Sequence, residues 1–167
     1  VRSPWDYQLD CDAFLSVLQT IDDSTAHLDN PLKIIHWNIN KKYLKELEEK
    51  GIEIVPTLWC ENIKDNDLEN YFIKLNNNEI VIKPCISAGA FDTYRLASNN
   101  LATIKAELLT TFKHREFMVQ PFMSGIIDEG EFSLFYFGGE FSHAILKTPK
   151  NNDYRVQEEF GGLKVKI

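Results

Sequence analysis

The segment from Glu79 to Tyr94, EIVIKPCISAGAFDTY, constrains the fold of this chain more than any other part. Ile80–Ile82 are β-favouring residues that lead into Lys83, and Pro84 ends the predicted strand. A loop of small residues follows, and its backbone N–H groups can approach a ligand closely. Burying an ammonium group is costly without an anionic partner. The pattern therefore predicts that Lys83 meets either a structural carboxylate or a phosphate group.

Composition restricts the class of protein. The 167 residues are 44% hydrophobic and carry a net charge of −7, which indicates an ordered chain of one domain or two small lobes. That charge argues against general binding to nucleic acid or to an anionic membrane surface. No apolar run reaches membrane-spanning length, and no signal peptide is evident. The cysteines (Cys11, Cys60, Cys85) are odd in number and widely spaced, which is typical of reduced thiols in a cytoplasmic protein.

Hydrophobic periodicity and turn residues predict a mixture of helices and strands. The predicted helices are Asp12–Ile21, Lys41–Lys50 between Asn40 and Gly51, a helix capped by Asp65 that contains Leu68–Leu75, and Ser98–Lys113. The predicted strands are Leu32–His36, Ile52–Val55, Ile80–Lys83, Phe117–Gln120 and a hairpin of Glu131–Phe137 with Glu140–Lys147. The fold class is therefore α+β, with antiparallel pairing towards the end of the chain.

The length of the hairpin turn decides whether Glu131 and Lys147 lie on the same face of the predicted hairpin. A two-residue turn at Gly138-Gly139 would place Glu131 and Lys147 on opposite faces of the hairpin. If both side chains serve one site through this hairpin, an odd-length loop or a β-bulge is required. We predict that one of these is present.

Five cationic residues lie beside breaks in the regular pattern: Lys41, Lys83, Arg95, Lys147 and Arg155. Except for Lys83, each one taken alone is more simply a solvated side chain. The apolar segment from Phe117 to Met123 is either a core strand or a cover for a flat aromatic ring. Glu131 is either a surface charge or an acceptor for sugar hydroxyls.

Taken together and in order, three segments resemble the ATP-grasp superfamily, in particular its glutathione-synthetase-like members. They are VIKPCISAGAFDTYRL, FMVQPFMSGIIDEGEFSLFYFGGEFSHAILKTP and DYRVQEEFGG, and the earlier WNINKKYLKELEEKGIEIVPT resembles the linker into that fold. The resemblance implies two α+β lobes with antiparallel sheets around a nucleotide cleft, preceded by the end of a Rossmann-like domain. It places that end and the linker at 1–40, the first lobe at 41–116 and the second lobe at 117–167. Both ends of the sequence look interrupted, with the second lobe incomplete.

The resemblance also implies roles for particular residues. Lys41 and Lys83 correspond to the family lysines that hold the α- and β-phosphates of ATP, and Lys147 and Arg155 to the catalytic cations near the transferred phosphate. The remaining binding residues would be a phosphate-covering loop, an adenine-reading hinge and a ribose-binding carboxylate. These are Ser87, Ala88 and Gly89 with Ala90, then Gln120, Pro121, Phe122 and Met123, then Glu131.

The implied activity is an ATP-dependent ligase that joins a small-molecule carboxylate to an amine or thiol through an acyl phosphate. A small-molecule kinase and a non-catalytic nucleotide-binding module are the alternatives, and a homodimer is compatible with each. Mg²⁺ is implied as a cofactor, with ligands expected beyond Ile167. Asp128, Glu129, Glu158 and Glu159 do not follow the family's metal-binding pattern, so no metal ligand is assigned within the chain.

Overall fold

The computed structural model describes residues 6–151 and 153–167. The chain divides into two compact units, residues 1–122 and 123–167, and combines helices with antiparallel sheets. The predicted α+β class is therefore confirmed. Residues 1–5, which belong to the predicted linker, lie outside the described residues. Within the described ranges, every helix is too short or too polar to cross a membrane.

The first unit begins with two helices, α1 (Cys11–Asp22) and α2 (Leu32–Asn38). Asp10 caps α1 by accepting a hydrogen bond from the Ala13 backbone N–H at 2.9 Å. The second helix corrects the prediction of a strand at Leu32–His36. Its backbone turns after Pro31, whose carbonyl accepts from the Ile34 N–H at 2.8 Å. A helix satisfies its own backbone groups, whereas an apolar strand needs a neighbouring strand.

Helix α3 (Tyr43–Glu49) lies within the predicted helix Lys41–Lys50. Asn40 accepts from the Lys42 N–H at 3.0 Å, and the helix ends at Gly51 as predicted. The predicted strand Ile52–Val55 is wrong, because residues 52–57 form no regular structure and β1 is Leu58–Cys60. Pairing begins only at Leu58, which lies opposite Val119 on a neighbouring strand.

The sheet of the first unit has four antiparallel strands in the order β1-β4-β2-β3. Its remaining strands are β2 (Glu79–Pro84), β3 (Tyr94–Ala97) and β4 (Phe117–Pro121). Strands β2 and β4 confirm the predictions, whereas β3 was not predicted. The predicted lobe boundary assigned β4 to the second lobe. In the structure β4 pairs with β1 and β2 inside the first unit, where it continues their ladder.

The two faces of this sheet have different surroundings. One face carries Ile80 and Ile82, both fully buried, and packs on helices α4 (Leu68–Leu75) and α5 (Leu101–Thr111). A single-turn 3₁₀ helix, Asp65–Asp67, precedes α4. The predicted helices in these two regions are therefore confirmed. Lys83 lies opposite Met118 on β4, and Val81 lies opposite Gln120, so these residues share the face that points away from the core.

The second unit contains α6 (Gly125–Asp128), the 3₁₀ turn Glu158–Phe160 and a three-stranded antiparallel sheet in the order β5-β6-β7. The strands are β5 (Glu131–Phe137), β6 (Glu140–Thr148) and β7 (Leu163–Lys166). The predicted hairpin is confirmed, with Gly138-Gly139 at its turn. The predicted irregularity is also present. Phe135 pairs with His143 and Tyr136 with Phe141, so Ser142 is an extra residue on β6.

Candidate functional site

Lys41 lies at the start of the turn before α3 and is joined to the end of β2 by two hydrogen bonds. Its backbone N–H donates to the Cys85 carbonyl, and its Nζ donates to the Ser87 carbonyl, each at 2.8 Å. The first bond fixes the backbone, and the second brings the ammonium to the predicted phosphate-covering loop. The structure thus brings Lys41 together with the loop that the sequence assigned to the same ligand.

The loop from Ile86 to Asp92 is folded by its own contacts. Ser87 Oγ donates to the Phe91 carbonyl at 2.8 Å, and the Phe91 N–H donates to the Ala88 carbonyl at 3.0 Å. The backbone N–H groups of Ser87–Ala90 donate no hydrogen bond to any part of residues 6–151 and 153–167. Four successive N–H groups without a protein acceptor form a donor surface suited to an anion.

Gly89 adopts the left-handed backbone conformation that its sequence position allows, with φ of 59°. Ala90 and Asp92 also have positive φ, at 58° and 50°, although neither is glycine. Such conformations are unfavourable for residues with a Cβ and persist where surrounding contacts hold them. The loop therefore depends on groups outside it.

Arg115 supplies such contacts and was not identified from the sequence. It lies between α5 and β4. Its Nη2 donates to the Ile86 carbonyl at 3.2 Å, and its Nη1 forms an ion pair with Asp92. Glu116, the next residue, forms an ion pair with Lys42 at the start of α3, and its carbonyl accepts from the Cys85 N–H. The Lys42 ammonium holds the pKa of the Glu116 carboxyl below its ordinary value.

Positive charge accumulates at this place in an acidic protein. The pKa of Lys41 is lowered to about 8, mainly by burial and also by the positive charges of Lys83 and Arg115. Each cation therefore makes the protonation of Lys41 less favourable. An anion among them would reverse this effect by stabilising all three charges. A cluster of positive charge of this kind is chemically suited to a negatively charged ligand.

The predicted hinge Gln120–Met123 spans the end of β4 and the first residue of the second unit. The Gln120 side chain is buried, and its Nε2 donates to Thr57 Oγ1 at 2.8 Å. Pro121 lies opposite Ile80 on β2, whereas the Met123 side chain is 48% exposed. Gln120 shares the outward face of the sheet with Lys83, so these two predicted residues do lie on one surface.

Phe122 is held by a cation. The Arg95 guanidinium lies 3.6 Å from the centre of its ring and is paired with Glu79 at 2.8 Å. The Phe122 N–H also donates to the Glu79 carbonyl at 2.9 Å. Arg95, one of the five cations singled out in the sequence, therefore stabilises the segment predicted to read adenine.

In the second unit, Glu131 and Lys147 lie directly opposite each other on β5 and β6. Lys147 Nζ is 2.9 Å from Glu131 Oε1. Gly130, just before β5, has φ of 95°, and a Cβ there would lie 2.7 Å from the Lys147 carbonyl oxygen. Close backbone packing thus fixes the position of this pair.

Arg155 is fixed by two neighbours of its own. Its Nε and Nη2 donate to the two oxygens of Asp153 at 3.0 and 2.8 Å, and its guanidinium lies 3.7 Å from the Phe160 ring centre. These bonds hold the pKa of Asp153 down to about 2. Asp153 and Phe160 were not assigned from the sequence, because only the folded turn brings them to Arg155.

No three His, Cys, Asp or Glu side chains within residues 6–151 and 153–167 come together in a way that could hold a metal ion. Mg²⁺ as a cofactor stays a prediction.

Comparison with known proteins gives a consistent relationship. No protein-family model matches the chain. The chain is 27% identical over 152 residues to the cycloserine biosynthesis protein DcsG of Streptomyces lavendulae, covering 87% of this chain and 50% of that protein. The crystal structure of D-cycloserine synthetase DcsG superposes with a TM-score of 0.80 and 23% identity, over 99% of this chain and 57% of that chain.

Two further structures share the fold at lower identity. One is the ATP-grasp ligase PsnB complexed with a phosphomimetic variant of its minimal precursor, Mg and ADP. It has a TM-score of 0.58 and 13% identity, over 99% of this chain and 51% of that one. The other is D-alanyl-alanine synthetase A from Vibrio cholerae, with a TM-score of 0.62 and 13% identity, over 97% of this chain and 49% of that one. The chain thus spans about half the length of the proteins it matches. It has the ATP-grasp fold.

Proposed function

We propose that this chain binds the phosphates of ATP at Lys41, Lys83 and the N–H groups of Ser87–Ala90. The observation that carries the proposal is that cations lie beside a row of backbone N–H groups with no acceptor among the described residues, in a protein of net charge −7. Backbone N–H groups and lysines are the usual phosphate ligands of proteins. A carboxylate partner alone would not require the four N–H groups.

The reaction that we propose is ATP-dependent ligation. The γ-phosphoryl group passes to a substrate carboxylate, and ADP leaves. An amine or thiol then attacks the carbonyl carbon of the acyl phosphate, and inorganic phosphate leaves as the amide or thioester forms. Such transfer requires positioned positive charge more than a protein nucleophile. The similarity to DcsG, and the ligase and synthetase names of the structural relatives, support this reaction over others.

Binding is tested first, by calorimetric titration of the chain with ATP and Mg²⁺. We expect Lys83→Ala and Lys41→Ala each to weaken binding about tenfold or more, as loss of a charged hydrogen bond would. Lys45→Ala is the matched control, because Lys45 is an exposed lysine on α3 with no role in the site. The proposal fails if the unaltered chain does not bind ATP, or if all three variants bind it equally.

The reaction type is tested with a panel of amino acids and hydroxylamine. A ligase that forms an acyl phosphate would give ADP, phosphate and a hydroxamate. A small-molecule kinase would give ADP and a stable phosphorylated product, and a binding module would give neither product. Lys147→Ala and Arg155→Ala test the roles predicted in the second unit. We expect them to reduce turnover about a hundredfold, and turnover at the unaltered rate would refute their assignment.

A further inference from the structure

Arg115 is placed where it can control the shape of the loop that carries the unpaired donors. Its guanidinium contacts that loop at both ends, at the carbonyl of Ile86 and at the carboxylate of Asp92. Both side chains are largely buried, with 31% of Arg115 and 23% of Asp92 exposed. A planar guanidinium can make both bonds at once, which a lysine ammonium of the same charge cannot do in the same geometry.

The loop needs such an attachment. Its internal hydrogen bonds are all short-range, such as those from Ser87 to Phe91 and from Phe91 to Ala88, and the contacts from outside that reach it include the one from Lys41 to the Ser87 carbonyl. Ala90 and Asp92 both occupy left-handed conformations, which are unfavourable for residues with a Cβ. Without contacts from outside, the local energetics would favour other loop conformations.

The bridge fixes the donors that the phosphate site uses. Ile86 and Asp92 flank Ser87–Ala90, whose N–H groups have no acceptor in the described residues. Lys41 Nζ holds the same loop through the Ser87 carbonyl at 2.8 Å. Arg115 and Lys41 therefore fix the start of the loop together, and Arg115 alone of these two also fixes its end.

We propose that Arg115 is a positioning residue, whose bridge from Ile86 to Asp92 keeps the N–H groups of Ser87–Ala90 in the conformation that binds phosphate. This inference rests on the proposed function and adds to it. In this inference Arg115 affects phosphate binding by holding the loop, and Asp92 affects it by holding Arg115. A direct bond from Arg115 to phosphate is the competing explanation, and the two differ in what they require of Asp92.

The test compares Asp92→Asn, Arg115→Ala and Arg115→Lys in the whole chain, by titration with ATP and Mg²⁺. Each variant should bind about tenfold more weakly, and Asp92→Asn with Arg115→Ala should bind no more weakly than either alone, because both break one bridge. Amide hydrogen exchange at Phe91, whose N–H donates to the Ala88 carbonyl, should be about tenfold faster in all of them in the absence of ATP. Asp65→Asn, which breaks the ion pair with Lys105 elsewhere in the unit, is the control and should change neither quantity.

The outcomes separate the explanations. Asp92→Asn binding as tightly as the unaltered chain, with Arg115→Ala weakened and Arg115→Lys intact, would overturn the inference in favour of direct phosphate contact. Unchanged binding and exchange in every variant would overturn it too, while leaving the phosphate site standing. If the unaltered chain does not bind ATP, the proposed function has failed. Exchange at Phe91 that is no faster in Asp92→Asn than in the unaltered chain would then overturn the structural part of the inference independently.

Discussion

Glu131 and Lys147 form an ion pair across the β5–β6 hairpin because β6 contains one extra residue, Ser142. The turn has two residues, which would by itself pair Glu131 with Leu146. The bulge between Phe135 and Tyr136 advances the pairing by one residue, and Lys147 moves to the same face as Glu131. A single residue thus decides which side chains share a surface.

Deletion of Ser142 should therefore separate the pair without changing either charged residue. We expect the coupling energy between Glu131→Gln and Lys147→Met to be about 0.5 kcal/mol in the unaltered chain, since the pair is partly exposed, and close to zero after the deletion. Hydrogen exchange of the β5 and β6 amides would supply the unfolding free energies for the double-mutant cycle. An unchanged coupling energy would show that the bulge does not set this contact.

If Lys41 binds a phosphate of ATP as proposed, the affinity for ATP should depend on pH. Its pKa of about 8 is below the ordinary 10.5, so the free protein begins to lose this proton near pH 8. A phosphate would stabilise the charged form, so binding should take up a proton, and affinity should fall as pH rises from about 7 to 9. Calorimetry in HEPES and in Tris would measure the uptake. It should disappear in Lys41→Met and persist in Lys45→Met, and uptake that survives in Lys41→Met would assign it to another group.

The lowered pKa of Lys41 also affects the stability of the folded chain. Below pH 8 Lys41 is protonated in both folded and unfolded chains, so the full cost of holding its charge is present. Between about 8 and 10.5 the unfolded chain retains the proton that the folded chain has lost, so this group raises stability as pH increases. Lys41→Met should therefore stabilise the chain most below pH 8, and the difference in thermal midpoint from the unaltered chain should shrink towards pH 10.

Gly130 should tolerate no side chain. Its φ of 95° and the 2.7 Å approach of a Cβ to the Lys147 carbonyl predict that Gly130→Ala lowers the stability of the second unit by about 2 kcal/mol or more. Gly138→Ala is the matched control. Gly138 has φ of 58° with open space around it, so only the cost of a left-handed alanine, about 1 kcal/mol, is expected. Hydrogen exchange in β5 and β6 measures both, and equal losses would contradict the steric argument.

The Asp153 carboxylate should take up its proton only at an unusually low pH. Its pKa of about 2, below the ordinary 3.8, depends first on the hydrogen bonds from Arg155. The carboxylate therefore contributes stability above about pH 4, and this contribution is lost as pH falls through 2. Carboxyl carbon NMR should show the pKa of Asp153 moving towards 3.8 in Arg155→Met. An unmoved pKa would mean that the backbone N–H groups of Tyr154 and Arg155 hold the carboxylate without the guanidinium.

Local patterns predicted the elements whose signals are complete within a few residues. The helical spacing from Asp12 to Ile21 and the glycine pair of the hairpin are examples, and both are confirmed. Apolar runs without a pairing partner were wrongly predicted to be strands. Leu32–His36 became a helix, and Ile52–Val55 stayed irregular, because a strand forms only where a neighbour accepts its backbone bonds. Conversely, the short strand Tyr94–Ala97 was not predicted, because it is defined by its pairing with β2.

The residues of the candidate site also divide into those that could be predicted from the sequence and those that could not. Lys41 and Ser87 were assigned through the family resemblance, and in the structure Lys41 Nζ donates to the Ser87 carbonyl at 2.8 Å. Arg115 and Asp92 were missed because 22 residues of sequence lie between them and neither stands in a marked pattern. Their relation arises only when the end of α5 returns beside β2. The bulge, in contrast, was predictable. Side chains alternate between the two faces of a strand, so placing Glu131 and Lys147 on one face requires an odd-length loop or one extra residue in a strand.

The alternation of β2 also bears on how such a protein can change. Ile80 and Ile82 fill the interior while Val81 and Lys83 point to the other side. Odd and even positions of this short strand therefore meet different physical requirements. A substitution at Val81 or Lys83 alters the outward face of the sheet, whereas one at Ile80 or Ile82 alters the core.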